Sequence, residues 1–298
     1  MWKWLVNLTV LLQLTVNSAS IENFHEVALK CESTSEGSNE HIEYIACSME
    51  NVTSSSDQVT VTSMNLSMDE LKKLNMSIYI DIVGNGNYPE HFPKNLGKII
   101  NGTGGFTYKN TPLKYISRAD FKDFAPDLYL IILEDNKIEE IPFDTFYDLP
   151  DLIYLDVRDN KLTSLAPNIF ANSPAFHTLI IESNEITELH PDLFKNCPEF
   201  YVLYAEFNKI EEFHESLFIN NPNMTVISMR HNKVQNIPID FTKFKRLDVA
   251  DFTHNGGTCD TMYFSFEPYD EHYDKNEQKK WIKTVPEFQQ KIEEVCRA

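Results

Sequence analysis

Residues 152–175 read "LIYLDVRDNKLTSLAPNIFANSPA", and residues 176–199 read "FHTLIIESNEITELHPDLFKNCPE". Laid one over the other, they share one skeleton: LxxLxLxxNx(L/I)xx(L/I/F), then Phe, then often Pro. The skeleton starts again at Leu128, Phe200, Met224 and Leu247, with a period of 24 that shortens once to 23. A fixed period of this length marks a repeat architecture. In the LxL segment successive side chains point to opposite faces, so both leucine positions turn inward and the residue between them turns outward. No single turn can bury its own apolar face, and stacking makes one continuous core. Asn136, Asn160, Asn184, Asn208, Asn232 and Asn255 fall in register. They are expected to form a ladder, because each amide can donate and accept where the strand bends away. Phe146, Phe170, Phe194 and Phe218 form a second column, expected to fill the convex side.

This skeleton resembles the leucine-rich repeat family, in its 24-residue type common in extracellular proteins. The resemblance implies an α/β solenoid: a right-handed leucine-rich repeat horseshoe, with short parallel strands on the concave face and loops or small helices on the convex face. Regular repeats are expected over 128–255. Irregular ones are expected over 57–127, where 59–74, 77–87 and 106–121 look like degenerate turns. Residues 21–56 and 256–298 are expected to cap the two ends. Capping logic and the resemblance together pair Cys31 with Cys47 and Cys259 with Cys296. The family's usual C-terminal cap carries four cysteines, and here there are two. Trp281, Val285, Phe288, Ile292 and Val295 recur at helical spacing, a stripe expected to seal the last strand. Cys197 is the fifth cysteine. It reads either as a half-buried free thiol or as the anchor of a disulfide-linked partner.

The chain opens with Lys3, an apolar run over about residues 5–16, and the small residues Ser18, Ala19 and Ser20. That is the layout of a secretory signal peptide over 1–20. No second long apolar run follows, so a secreted, extracellular protein without membrane insertion is expected. Net charge is −19 over the whole chain, and 25 bases against 45 acids remain without Lys3. Such a balance repels phosphate, so no nucleic acid partner is expected. Asn51, Asn65, Asn75, Asn101 and Asn223 stand in Asn-x-Ser/Thr triplets, candidate glycan acceptors. Four of these lie between residues 51 and 101, where sugars would make a poor docking surface.

With the framework set aside, the outward columns define a candidate ligand-binding face. Leu130, Ile132, Tyr154, Ile180, Val202, Tyr204 and Phe207 would form an apolar, aromatic patch. Glu134, Asp135, Asp156, Asp159, Glu182 and Glu206 would ring it with negative charge, interrupted by Arg158 and Arg230. An aromatic centre with a charged rim is how protein-binding surfaces are built, although strands favour such residues in any case. Six strands about 4.8 Å apart span roughly 24 Å, a width that suits a protein better than a metabolite. His231 and His254 stand side by side but lack a third ligand, so no metal is expected. Tyr269 and Tyr273, in the acidic stretch 264–277, are candidates for sulfation. No GxSxG, HExxH or glycine-rich phosphate loop occurs, so neither catalysis nor a cofactor is expected. The expectation is therefore recognition of a protein ligand, favoured as basic by charge. The irregular N-terminal turns and compact cap resemble mosquito leucine-rich repeat immune proteins, which often carry a coiled coil and extra cysteines that this chain lacks. A secreted inhibitor of a basic enzyme or toxin and a matrix component are the alternatives.

Overall fold

The computed structural model describes residues 24–34, 42–49, 58–64, 77–84, 88–124, 127–260, 262–265 and 284–296. Residues 1–20, Asn51, Asn65, Asn75, Tyr269, Tyr273 and Trp281 lie outside them. The chain first forms β1 (Phe24–Thr34), β2 (Ile42–Met49), β3 (Gln58–Met64), β4 (Ser77–Val83) and β5 (Gly105–Lys109). The repeats then supply β6 (Leu130–Ile132), β7 (Tyr154–Asp156), β8 (Thr178–Ile180), β9 (Glu188–Leu189), β10 (Val202–Tyr204), β11 (Glu212–Phe213), β12 (Val226–Ser228) and β13 (Val249–Asp251). β14 (Tyr263–Ser265) follows. The helices are α1 (Leu96–Ile99), α2 (Arg118–Phe121) and α3 (Val285–Val295). Twelve strands form one sheet in the order β14-β13-β12-β10-β8-β7-β6-β5-β4-β2-β1-β3, and β9 pairs with β11 apart from it. From β4 to β13 each pair is parallel, and Leu155, Leu179, Leu203 and Ile227 face one another in register. The fold is a leucine-rich repeat solenoid.

Each ladder asparagine ties its turn to the one before. Asn208 Nδ2 donates to Ile181 O at 2.8 Å, Ala205 O at 3.2 Å and Glu206 O at 3.1 Å, while its Oδ1 accepts from Ile186 N–H at 3.0 Å. Asn160, Asn184 and Asn232 repeat the arrangement. The phenylalanine column is denser than its period suggests. Phe176 and Phe200, at the first skeleton position, stack on it: Phe170–Phe176 centroids lie 3.8 Å apart and Phe194–Phe200 3.7 Å apart. The rings thus form a near-continuous stack through the core, which explains why phenylalanine replaces leucine at those two positions.

The two ends close the core differently. β1 runs antiparallel to β2, with Cys31 directly across from Cys47, and Cys47 is disulfide-bonded. β3 pairs parallel with the far side of β1, so residues 58–64 lie at the outer edge of the sheet and not between β2 and β4. Val61 N–H donates to Lys94 O at 2.9 Å, just before α1 on the convex side. The sheet therefore curls over the end of the coil, burying Leu29, Met49 and Val61. At the other end, β14 joins β13 antiparallel. Thr284 caps α3, and Pro286 sits in its first turn, where a missing N–H costs nothing. Phe288 packs against Phe241 at 5.0 Å and Phe264 at 5.8 Å. A disulfide joins Cys259 to Cys296, whose Cα atoms lie 5.2 Å apart.

Cys197 is a free thiol, one of the two readings made of it, but it lies deeper than expected. Its side chain is fully buried, and Sγ lies 3.7 Å from Phe170 O. Burial pushes the thiol up to about 12. Neighbouring turns place Ser173 and Asn221 in the same slot, and both bond a carbonyl of the preceding turn, Leu149 O at 2.8 Å and Cys197 O at 2.7 Å. The slot points into the core, so a disulfide-linked partner through Cys197 has no access. The folded protein is expected to resist thiol alkylation at pH 8 and to take up one equivalent at Cys197 only after denaturation; labelling with iodoacetamide followed by peptide mass mapping checks this.

Candidate ligand-binding face

The concave sheet presents its side chains in three columns. Register aligns Tyr79, Gly105, Leu130, Tyr154, Thr178, Val202, Val226 and Val249 in the first. The second holds Asp81, Thr107, Ile132, Asp156, Ile180, Tyr204, Ser228 and Asp251, and Tyr263 of β14 extends it. Glu134, Arg158, Glu182, Glu206 and Arg230 follow along the third. Leu130, Ile132, Tyr154, Val202 and Tyr204 are half-buried and Phe207 is exposed, while Leu179 and Leu203 are sealed inside. Gly105 makes room at the N-terminal end. A Cβ there would stand 2.8 Å from the Tyr79 ring, and that ring reaches across to bond Tyr129 hydroxyl to hydroxyl at 2.5 Å.

Two residues expected to be open are closed. Ile180 and Asp156 are only 6% and 2% exposed. The face curves inward, so neighbouring side chains crowd over them. Asp156 is also committed locally: Arg158 grips it through Nε at 2.9 Å and Nη2 at 2.6 Å, and its Oδ1 accepts the Arg158 N–H. Asp251 binds Thr253 in the same way. The same grip holds the Arg158 guanidinium above its ordinary range, and Arg158 Nη1 lies 3.9 Å from Glu182.

Glu206 sits deep in the third column. Desolvation, and then the neighbouring Glu182 carboxyl, push its pKa up to about 8. Its Oε2 is buried without a hydrogen-bond partner among the described residues. Of the expected acidic ring, Asp156 is matched by Arg158 and burial raises the Glu206 pKa, whereas Asp135 and Asp159 stay exposed and Glu134 and Glu182 half-buried.

A small apolar cluster backs the C-terminal part of this face. Val226, Val249 and Tyr263 form a buried cluster against which Val202 and Tyr204 pack. Tyr263 was missed because β14 runs antiparallel and carries no repeat period. At the rim, Phe207 stacks on His231 with centroids 4.5 Å apart, and His231 on His254 at 4.4 Å. Burial lowers the His231 pKa first, with His254 and Arg230 adding to it. All of Asp135, Asp159, Ser183, Phe207, His231 and His254 have left-handed backbone, φ 51–62°. Asp and His tolerate that region, whereas a bulky Phe does so only at a cost of about 1–2 kcal/mol. Among the described residues no cluster of three metal-ligating groups occurs, and no helix is long and apolar enough to cross a membrane. Asn101 and Asn223 are exposed, away from these columns.

The fold and this face together define a leucine-rich repeat solenoid with a partly apolar concave wall. Residues 126–186 match the leucine rich repeat family model. Solved structures similar to the chain include Toll in the Toll–Spatzle complex, described as a hub in Drosophila development and innate immunity. There the identity is 14%, with 70% of this chain and 43% of that one covered and a TM-score of 0.47. The octameric complex of Latrophilin 3, Unc5D and the repeat domain of FLRT2 matches at 16% identity, 72% and 62% coverage, and a TM-score of 0.46. TLR13 in complex with ssRNA13 matches at 16% identity, 64% and 35% coverage, and a TM-score of 0.41. The matched part spans less than two thirds of each of these chains. No curated protein matches in sequence.

Proposed function

We propose that this chain is a secreted, non-catalytic recognition protein that binds a protein ligand through its concave face, in an innate immune setting or a comparable extracellular one. Half-buried Val202 and Tyr204, backed by the buried Val226, Val249 and Tyr263, carry the proposal, with Phe207 exposed beside them at 52%. An aromatic residue held in unfavourable backbone and still open to solvent is poorly explained by stability alone. Half-buried Leu130, Ile132 and Tyr154 extend the surface toward the N-terminal turns, and Arg158, Glu182 and Arg230 supply its polar contacts. The partner this face fits is apolar at its centre.

Affinity capture from the source's extracellular fluid, with wild-type and Tyr204→Ser/Phe207→Ser protein in parallel, tests the proposal. Each aromatic anchor is expected to contribute about 2–4 kcal/mol, so the double variant should lose a stoichiometric partner. Its thermal midpoint should stay near wild type, because relief at Phe207 offsets the lost packing. Equal capture by both baits would sink the concave-face assignment. A captured hydrolase would point to the inhibitor alternative, and polysaccharide alone to the matrix one.

A further inference from the structure

A second feature lies on the convex side, where a backbone ladder runs between turns and then stops. Thr187 N–H donates to Thr163 O at 3.3 Å, and Glu211 N–H to Thr187 O at 3.2 Å. β9 and β11 are the stretch in which this ladder becomes a parallel sheet, Glu212 opposite Glu188. The next turn begins in step, with Lys233 N–H on Ile210 O at 2.9 Å. Among the described residues, no backbone bond then joins Gln235 to Glu211. Pro238, in this stretch of the turn, has no N–H to offer a neighbouring strand. A groove of about 480 Å³ opens there, between Glu211–Glu215 and Lys233–Pro238.

We infer that this groove receives an extended, lysine- or arginine-bearing peptide, which pairs with the open edge of β11 as a third strand. An interrupted parallel ladder is a template for backbone pairing. The side chains beside it choose the occupant's charge. Glu212 and Glu215 line it and are exposed, and the one lysine of the groove, Lys233, is held by Glu211 at 3.1 Å. Alternate residues of an extended peptide point the same way, so basic residues at every second position meet this acidic wall.

The probe is an acetylated, dye-labelled hexapeptide of alternating Lys and Val, followed by fluorescence anisotropy at low salt. Wild type is expected to bind it. Binding should fall about tenfold or more with Glu212→Lys/Glu215→Lys, and by as much when alternate backbone amides of the peptide are N-methylated. Hydrogen exchange should slow at residues 211–214 on binding. The Tyr204→Ser/Phe207→Ser protein should bind as wild type does, which separates this site from the concave face. No binding at millimolar peptide, or equal binding of the methylated peptide, overturns strand addition; binding that survives the charge reversal places the peptide elsewhere and overturns the site.

Discussion

Asn208→Ala should destabilise the protein by about 3–5 kcal/mol. The Asn208 amide is 8% exposed and makes four hydrogen bonds that bridge two turns. Alanine leaves the Ile186 N–H and several carbonyls dry and unmatched, and each buried orphan costs about 1–3 kcal/mol. Solenoid stability is a sum of turns and their interfaces, and Asn208 serves the interface between its own turn and the preceding one. Guanidinium unfolding measures the loss. Asn236→Ala, an exposed position in the same stretch of the turn, is the control and should stay within about 0.5 kcal/mol of wild type. Asn208→Asp should not rescue stability, because it keeps the acceptor, removes the donors and adds charge to a buried site. A loss below about 1 kcal/mol for Asn208→Ala would mean that the asparagines only keep the spacing and carry none of the stack's cohesion.

The ladder was legible because its physics is periodic. Leucines that must face inward, and an amide that must meet the same carbonyls each time, leave a mark every 24 residues. What was not legible is non-local or depends on curvature. β3 passes around β1 to the sheet edge, and no local pattern encodes which strand it will flank. Tyr263 joins the concave strip from an antiparallel strand outside the repeat. Ile180 and Asp156 sit in outward positions, as read, yet the inward bend of the face closes neighbours over them. The Arg158 clamp also hides, since arginine two residues after aspartate reads equally well as two free charges.

One signal was present and unused. Four of the six residues preceding the ladder asparagines are Asp or His, types that tolerate left-handed backbone. That bias announces the positive φ of the whole column. With the constraint in view, Phe207 becomes the anomaly of its column, a stronger reason to single it out than exposure or aromaticity. Cys197 was legible in part: the odd count of cysteines allowed a free thiol, and its depth follows from the slot it shares with Ser173 and Asn221, whose side chains bond a buried carbonyl.

Glu206→Gln should stabilise the protein, and by an amount that grows with pH. The unfolded chain deprotonates Glu206 near its ordinary value of 4.5, whereas the folded protein holds the proton until about 8. Below the first value both states are protonated and the residue costs nothing through ionisation. As pH rises from there, the unfolded state sheds its proton while the folded state cannot, and folding weakens until about pH 8, where the folded carboxyl ionises too. One pKa unit corresponds to about 1.4 kcal/mol, so the penalty approaches on the order of 3–5 kcal/mol. Glutamine keeps the shape and a polar head but never ionises. The variant and wild type should therefore have nearly equal unfolding midpoints at pH 4, diverge through pH 5–7, and differ most at pH 8. Comparing the two proteins at each pH cancels the titration of the other carboxylates, including Asp148 and Asp240, whose lowered pKa values act in the opposite direction. Parallel stability curves would show that Glu206 is solvated, and that the concave face carries the negative charge its sequence first suggested.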